Sequence, residues 1–151
     1  MAMVDISGKP EVLREATATG TIKLKQETIE LIRNCKIAKG DPIYAAKLAG
    51  IRAAKETSAL IPLCHSLPLT TVAIDIEMSK QRTVKVMATV RTKAQTGVEM
   101  EALVATTVSL LTIWDMVKQY EKDAKGQYPE TEIKEIRVVK KIKENNTEKK
   151  R

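Results

Sequence analysis

The only histidine of the chain, His65, lies in an apolar segment between Pro62 and Pro68. Imidazole is the one side chain whose unperturbed pKa lies near neutrality. Each proline fixes the local backbone and removes an amide donor. The segment therefore predicts either a core histidine with a satisfied hydrogen bond or a rigid loop that presents a titratable ring, next to Cys64, to a ligand.

Charged residues also interrupt the apolar stretch between positions 99 and 118. Glu99 and Glu101 stand near its beginning, where carboxylates interact favourably with a helix N-terminus, and this interaction accounts for Glu99. Asp115 and Lys118 stand three residues apart near its end, on one face of a helix. These two residues predict either a surface ion pair or an acid and an amine that share a partly buried site and shift each other's pKa.

The spacing of Glu101 and Asp115 limits how both can act. They are fourteen residues apart, so on one helix they point in similar directions but lie about 21 Å from each other along the axis. They cannot both reach one small reacting centre in the same subunit. If both serve a site, either the ligand is long or the site is shared between subunits.

Three lysines are candidates for binding phosphate. Lys39 precedes a predicted helix start, where free amide groups favour an anion, and Lys55 lies within that helix. With Lys118 nearby in space they would form a phosphate site, whereas each taken singly is a solvated surface group. Neither GxxxxGK[ST] nor GxGxxG occurs, so the sequence contains neither standard nucleotide-binding loop.

Length and composition predict one domain with an aliphatic core. A chain of 151 residues can bury a sizeable core, and this one has no Phe, one Trp and three Tyr. We assign residues 1–142 to a single domain and residues 143–151 to a basic, frayed C-terminal tail. Residues 134–151 carry eight Lys or Arg against three Glu, so most of the net charge of +7 lies at this end of the chain.

The cysteines and the N-terminal residues predict a cytoplasmic protein. Cys35 and Cys64 with one histidine cannot supply the four ligands of a zinc site within one chain, and there is no CxxC motif. A disulfide framework is therefore not expected. The first residues lack a basic segment followed by an apolar one, so we expect no signal peptide, and no apolar run approaches the ~20 residues of a membrane span.

Periodicity and turn residues predict an α+β fold. Asp41 and Pro42 are suited to the N-cap and first position of a helix, and Thr96 with Glu99 forms a capping-box pattern at the start of another. The predicted elements are a strand at 11–24, helices at 25–35 and 42–57, a hairpin of strands at 71–78 and 83–90, a helix from 96 to about 122 and a strand at 133–142. The simplest arrangement is a ferredoxin-like, antiparallel four-stranded sheet with the two longer helices packed on one face.

Several motifs occur in order and with consistent spacing over residues 3–142. They are Met-Val-Asp-Ile-Ser-Gly-Lys at 3–9, Arg-Glu-Ala at 14–16, Lys-Gly-Asp at 39–41, Ala-Gly-Ile-Arg-Ala-Ala-Lys at 49–55, Leu-Ile-Pro-Leu-Cys-His at 60–65, Thr-Gly-Val-Glu-Met-Glu-Ala-Leu at 96–103 and Leu-Thr-Ile-Trp-Asp-Met-Val-Lys at 111–118. Together they resemble the molybdenum cofactor biosynthesis protein C family, the cyclic pyranopterin monophosphate synthases.

The resemblance implies a fold, an assembly and a reaction. It implies a single catalytic domain of ferredoxin-like fold that assembles as a hexamer, a trimer of dimers. The implied reaction converts 3′,8-cyclo-7,8-dihydroguanosine 5′-triphosphate to cyclic pyranopterin monophosphate with release of pyrophosphate, as a lyase and without a redox or metal cofactor. The family's catalytic residues fall on Asp115, Lys39 and Lys118, and its substrate-binding residues fall on Leu63, Cys64, His65, Met100, Glu101 and Lys55.

The chain departs from the family pattern at three places. Ser66 stands where proline is usual, Trp114 replaces a common tyrosine, and the Gly/Lys-rich ending of many members is replaced by Lys-Lys-Arg at 149–151. Two other classes of function stay open from the residues alone. One is a ferredoxin-like RNA-binding module with a basic tail, although the hairpin strands lack the aromatic residues on which such modules stack bases. The other is a structural subunit of an oligomer.

Overall fold

The computed structural model describes residues 1–145 as an alternation of strands and helices. In chain order these are β1 (Val12–Lys23), α1 (Gln26–Arg33), α2 (Pro42–Lys55), α3 (Thr57–Leu60), β2 (Leu69–Met78), β3 (Thr83–Ala94), α4 (Glu99–Glu121) and β4 (Glu132–Glu144). Every predicted strand and helix is present with its ends within a few residues of expectation. The one-turn helix α3, which precedes the histidine segment, was not predicted as a separate element.

The four strands form one antiparallel sheet in the order β2-β3-β1-β4. The central strand β1 pairs with β3 along its whole length, from Val12 opposite Ala94 to Lys23 opposite Thr83. The connection from β1 to β2 contains α1, α2 and α3, and the connection from β3 to β4 contains α4. This order and connectivity confirm the predicted ferredoxin-like α+β class.

The helices α2 and α4 pack closely against each other and against the sheet. A Cβ atom on Gly20 of β1 would lie 2.8 Å from Leu110 Cδ1 of α4, and one on Gly50 of α2 would lie 2.2 Å from Ser109 Oγ. The Ser109 hydroxyl donates to the carbonyl oxygen of Ala46 across the same contact at 2.9 Å. Small residues thus let α4 lie deep in the molecule.

The predicted capping box at the start of α4 is wrong. The helix begins at Glu99 with Val98 as its N-cap, and Thr96 makes no side-chain cap. The Glu99 carboxylate instead lies over Gly97 and forms an ion pair with Lys141 of β4. An ion pair with the neighbouring strand therefore takes the place of the reciprocal bond to the N-cap.

The helix α4 has the length and apolar composition of a membrane-spanning helix. Half of the most apolar stretch of this helix is buried inside the protein, as in the core helix of a globular domain. Within residues 1–145 no other helix passes the same test.

The C-terminal strand β4 continues to Glu144, past the boundary predicted at residue 142. Its register against β1 shifts twice, and Glu135 adopts a φ of +59° near one of these irregularities. The predicted frayed tail covers residues 143–151, of which 146–151 lie outside the described residues.

Candidate active site

The carboxylate of Asp115 lies between two ammonium groups. Lys118 Nζ is 2.8 Å from Asp115 Oδ1, and Lys39 Nζ is 3.0 Å from Asp115 Oδ2 and 2.9 Å from the Asp115 carbonyl oxygen. The side chain of Asp115 is 58% exposed and those of both lysines are 43% exposed. The three predicted catalytic residues thus form one cluster, open to solvent in the single chain.

The loop after α1 carries Lys39 to this position. The helix ends in a Schellman motif with Cys35 in the left-handed region at φ +54°, and the buried Ile37 anchors the loop in the core. Gly40 adopts a φ of +109°, which favours glycine, and the N–H of Gly40 donates to the Ile37 carbonyl oxygen at 3.0 Å. Asp41 then caps α2 through the N–H groups of the next turn, as predicted, so both sides of Lys39 are fixed.

Contacts within the cluster shift the pKa of Asp115 and the pKa of Lys118. Hydrogen bonds from Lys118 and then Lys39, together with their positive charges, hold the pKa of Asp115 below its usual range. The hydrogen bond and charge of Asp115 raise the pKa of Lys118. At neutral pH the aspartate is therefore a carboxylate and Lys118 is an ammonium, and the two are held as an ion pair.

An apolar cavity of about 380 Å³ adjoins this cluster. It is lined by Leu111, Trp114 and Ile133 in addition to Asp115 and Lys118. The Trp114 ring also contacts an aromatic ring from the loop after α4, that of Tyr128, at a centroid distance of 5.3 Å. Aromatic and aliphatic surface beside an acid and a lysine suits a ligand that has both a flat ring and charged groups.

A second cavity, of about 470 Å³, lies at the N-terminal end of α4. Leu63, Cys64 and His65 line it from the histidine loop, and Met100 lines it from α4. His65 Nε2 lies 2.8 Å from the backbone carbonyl oxygen of Val4, so this nitrogen is the donor and the neutral ring keeps Nδ1 as an acceptor. The histidine is thus a half-buried residue of a cavity and not a core residue.

Glu101, which follows Met100 on α4, is buried and is not part of the lining of this cavity. Glu101 is 3% exposed, and its Oε2 atom has no hydrogen-bond partner among the described residues. Burial raises the pKa of Glu101, and the neighbouring charge of Glu99 raises it further. Burial also raises the pKa of the Cys64 thiol, with a smaller contribution from the charge of Glu101. Both groups therefore favour their protonated forms.

A third cavity, of about 350 Å³, adjoins the second and is strongly basic. Four cationic side chains line it, with Glu99 as the one carboxylate: Lys9, Arg14, Lys141 and Lys143. Arg14 is 8% exposed and donates through Nη2 to the Gln95 carbonyl oxygen at 3.2 Å, while its buried Nε has no partner among the described residues. A buried guanidinium with a free donor, beside three lysines, has the charge and donors to bind an anion.

The sequence interpretation did not assign these basic residues to a site. Lys9 and Arg14 lie within the two N-terminal motifs, but the sequence alone points to phosphate binding only at Lys39, Lys55 and Lys118. Lys141 and Lys143 were counted as part of a basic C-terminal segment. The register of β4 against β1, which brings Arg14 opposite Lys143, is what gathers them, and this register was not predicted.

The two functional clusters lie at opposite ends of α4 in one chain. Met100 and Glu101 are in its first turn, and Asp115 lies about 21 Å along the axis from Glu101. Lys55, the remaining predicted ligand, is exposed in the last turn of α2 and lines none of the three cavities described above. Across residues 1–145, no group of three or more His, Cys, Asp or Glu side chains is placed to hold a metal ion.

The fold and these clusters define a class of protein. It is a ferredoxin-like α+β protein with an Asp–Lys cluster at one end of a core helix and a cavity lined by basic side chains at the other. The model of the MoaC family matches residues 3–144. The chain therefore belongs to the MoaC family.

Curated relatives match nearly the whole chain. A protein of Sulfolobus acidocaldarius is 60% identical over 93% of this chain and 98% of its own length. One of Pyrococcus furiosus is 54% identical over 96% of this chain and 92% of its own length, and both are named "Probable cyclic pyranopterin monophosphate synthase". A relative in Methanothermobacter thermautotrophicus, 53% identical over 93% of this chain and 88% of its own length, is named "Probable cyclic pyranopterin monophosphate synthase accessory protein".

Proposed function

We propose that this chain is a cyclic pyranopterin monophosphate synthase of molybdenum cofactor biosynthesis. The names of its relatives and its membership of the MoaC family support this activity. The substrate is 3′,8-cyclo-7,8-dihydroguanosine 5′-triphosphate, which is rearranged to cyclic pyranopterin monophosphate and pyrophosphate. Because a phosphorus–oxygen bond breaks as the cyclic phosphate closes, the enzyme is a lyase.

The observation that carries the proposal is the position of Asp115 between Lys39 and Lys118. Closing a cyclic phosphate requires that a hydroxyl oxygen of the substrate attack the α-phosphorus while pyrophosphate leaves. The hydroxyl proton then needs an acceptor, and the departing oxygen needs positive charge or a proton. The Asp115 carboxylate supplies the acceptor, and the two ammonium groups supply the charge.

The basic cavity at the other end of α4 is the proposed phosphate site. A triphosphate needs several cations, and Arg14, Lys9 and Lys141 converge there with one free guanidinium donor. The adjoining cavity of His65, Cys64 and Met100 has room for the base and the new pterin ring. On this proposal Glu101 and Cys64, both held toward their protonated forms, donate protons during ring rearrangement.

A complete site on this proposal combines two protomers. The cavities at the start of α4 in one protomer receive Lys39, Asp115 and Lys118 from the end of α4 in its partner, in a hexamer built as a trimer of dimers. Exposed apolar side chains near both ends of the helix support such contacts, among them Leu63, Met100 and Leu111. Free cysteines at positions 35 and 64 suit a reducing cytoplasm.

The purified chain mixed with the substrate tests the proposal directly. We expect stoichiometric release of pyrophosphate, followed with a coupled pyrophosphatase, together with a product whose mass is that of the substrate less pyrophosphate. The name of the Methanothermobacter relative supplies the alternative outcome. Product that forms only after a second protein is added would make this chain an accessory subunit and would overturn the proposal.

A further inference from the structure

Tyr120 binds the loop that carries Lys39. The side chain leaves α4 on the turn after Asp115, and its ring packs against the hydrophobic core. Its hydroxyl oxygen accepts a hydrogen bond from the backbone N–H of Ala38 at 2.8 Å. Ala38 is the residue immediately before Lys39, so this bond joins the base of the lysine to the helix on which its partner aspartate lies.

The neighbouring residue on α4 holds the other end of the same segment. Glu121 is fully buried, and both of its carboxylate oxygens accept from the N–H of Lys25, the N-cap of α1, at 3.0 and 3.2 Å. Thr28 and Thr131 donate their hydroxyls to the same carboxylate. Two consecutive residues of α4 thus fix the beginning of α1 and the loop after its end.

The two bonds have different consequences for the site. The Glu121 carboxylate binds the backbone of Lys25, which is separated from Lys39 by the whole of α1. Through Thr28 and Thr131 it also supports α1 and the start of β4. The hydrogen bond from Ala38 to Tyr120 holds the loop one residue before Lys39, and it supports no other helix or strand. Because the Ala38 residue is exposed, its N–H can bind water when the tyrosine hydroxyl is absent, so the fold does not depend on this bond.

We propose that Tyr120 is a positioning residue, whose hydroxyl fixes the loop at Ala38 and thereby holds the Lys39 ammonium against Asp115. The proposal rests on the proposed function only where turnover is the readout. Independently of turnover, the proposal states that the Tyr120 hydroxyl determines the fraction of molecules in which Lys39 contacts Asp115. Tyr120 itself lines none of the three cavities, and its hydroxyl bonds the Ala38 N–H and not the Asp115 carboxylate.

The protonation of Asp115 reports this occupancy without any substrate. The charged groups that face its carboxylate are Lys39 from the loop and Lys118 from α4, and Tyr128 from the following loop lies near Lys118. The Tyr120→Phe substitution keeps the ring and removes the acceptor. We expect the carboxyl pKa of Asp115, measured by carbon-13 NMR titration, to rise in this variant toward the value in Lys39→Gln.

Turnover and folding are the second and third readouts. In Tyr120→Phe we expect kcat to fall about three- to tenfold, the factor that one lost hydrogen bond corresponds to, with KM changed less than twofold and the melting temperature nearly unchanged. Tyr44→Phe is the matched control, since Tyr44 is 63% exposed on α2, and it should leave the Asp115 titration and kcat as in the wild type.

The Asp115 titration and the turnover assay distinguish failure of the positioning role of Tyr120 from failure of the proposed synthase activity. An Asp115 titration in Tyr120→Phe identical to that of the wild type would overturn the positioning role. A shifted titration in a protein that shows no synthase activity would support the positioning role while the proposed function fails. If the variant does not fold, amide hydrogen exchange of Ala38 in the wild-type protein decides: slow exchange supports the bond to Tyr120, and exchange at the rate of a free amide overturns it.

Discussion

Lys39 and Asp115 are 76 residues apart in the chain, yet the Lys39 ammonium lies 2.9 Å from the Asp115 carbonyl oxygen and 3.0 Å from its carboxylate. The other carboxylate oxygen lies 2.8 Å from Lys118. These contacts keep Asp115 ionised, because they lower its pKa, and keep Lys118 charged, because they raise its pKa. The Asp115 carboxylate is therefore held between two ammonium groups before any ligand binds.

Removal of either lysine should abolish turnover without unfolding the protein. We expect Lys39→Ala and Lys118→Ala each to lower kcat by at least about a hundredfold, since each removes an interaction with the charge that develops as pyrophosphate leaves. Both side chains are 43% exposed, so circular dichroism and melting temperature should stay close to wild type. Lys80→Ala, in the exposed turn between β2 and β3, is the control. Activity within threefold of wild type in either site variant would refute the assignment.

Glu101→Gln should stabilise the protein at high pH and not at low pH. Because burial raises the pKa of Glu101, the folded state favours the protonated carboxyl, and the stability of the wild type falls as pH rises through that value. The neutral amide avoids this loss, so we expect a gain of about 1 kcal/mol in the free energy of unfolding at pH 8. The gain should vanish below the ordinary carboxyl pKa of about 4.3. Urea denaturation at several pH values measures it, and a gain independent of pH would contradict the buried-carboxyl explanation.

Gly50→Ala should destabilise the contact between α2 and α4. A Cβ at this position would lie 2.2 Å from Ser109 Oγ and 3.1 Å from the Ala105 carbonyl oxygen, so the helices must separate. Alanine favours a helix over glycine by up to about 1 kcal/mol, but overpacking costs about 1–3 kcal/mol, so we expect a net loss of about 1–2 kcal/mol in urea denaturation. Gly8→Ala, where nothing lies within 4 Å, is the control.

A double mutant identifies the clash. Ser109→Ala removes the nearer atom, so adding it to Gly50→Ala should restore part of the lost stability even though the serine bond to Ala46 is also lost. Strictly additive losses would show that the hydroxyl is not what opposes the new methyl group.

The fold could be predicted from the sequence because its local signals agree with one another. Alternating strands, the Asp41-Pro42 helix start and the polar hairpin turn each predict the element that the structure contains. The start of α4 could not be predicted, because Glu99 forms an ion pair with Lys141 of β4, which is 42 residues away in the chain. A local sequence pattern does not reveal such a partner.

The candidate site was predictable in part for the same reason. Asp115 and Lys118 are neighbours on one helix, so their spacing alone predicts contact. Lys39 joins them through a loop geometry that only the structure supplies. The basic cavity depends on the register of β1 against β4, which places Arg14 opposite Lys143, and single-sequence patterns do not define register.

The chain should form a stable oligomer, which we expect to be a hexamer. Leu48, Leu60 and Leu111 are each more than half exposed in the single chain, and contacts between chains would bury this apolar surface. Sedimentation velocity at micromolar concentration should give the mass of six chains. A monomer would refute the assembly and would also remove the shared site.

The last prediction tests whether one site uses groups from two protomers. His65 and Asp115 belong to clusters about 21 Å apart along α4, too far to serve one compact centre in a single chain. We expect His65→Ala and Asp115→Ala each to be inactive alone. If the site is shared, a dimer of one variant with the other has one wholly wild-type site and one doubly damaged site.

Refolding an equal mixture of the two variants should therefore restore activity. Random pairing makes about half of the dimers mixed, and half of the sites in a mixed dimer are intact, so recovery should approach about a quarter of wild-type activity when symmetric dimers are the unit. Each variant refolded alone is the control and should stay inactive. Subunit exchange is verified by mass spectrometry of differently tagged chains. Exchange without recovery would mean that the groups act within one chain, and the role given to Glu101 and His65 at a site with Asp115 would then be wrong.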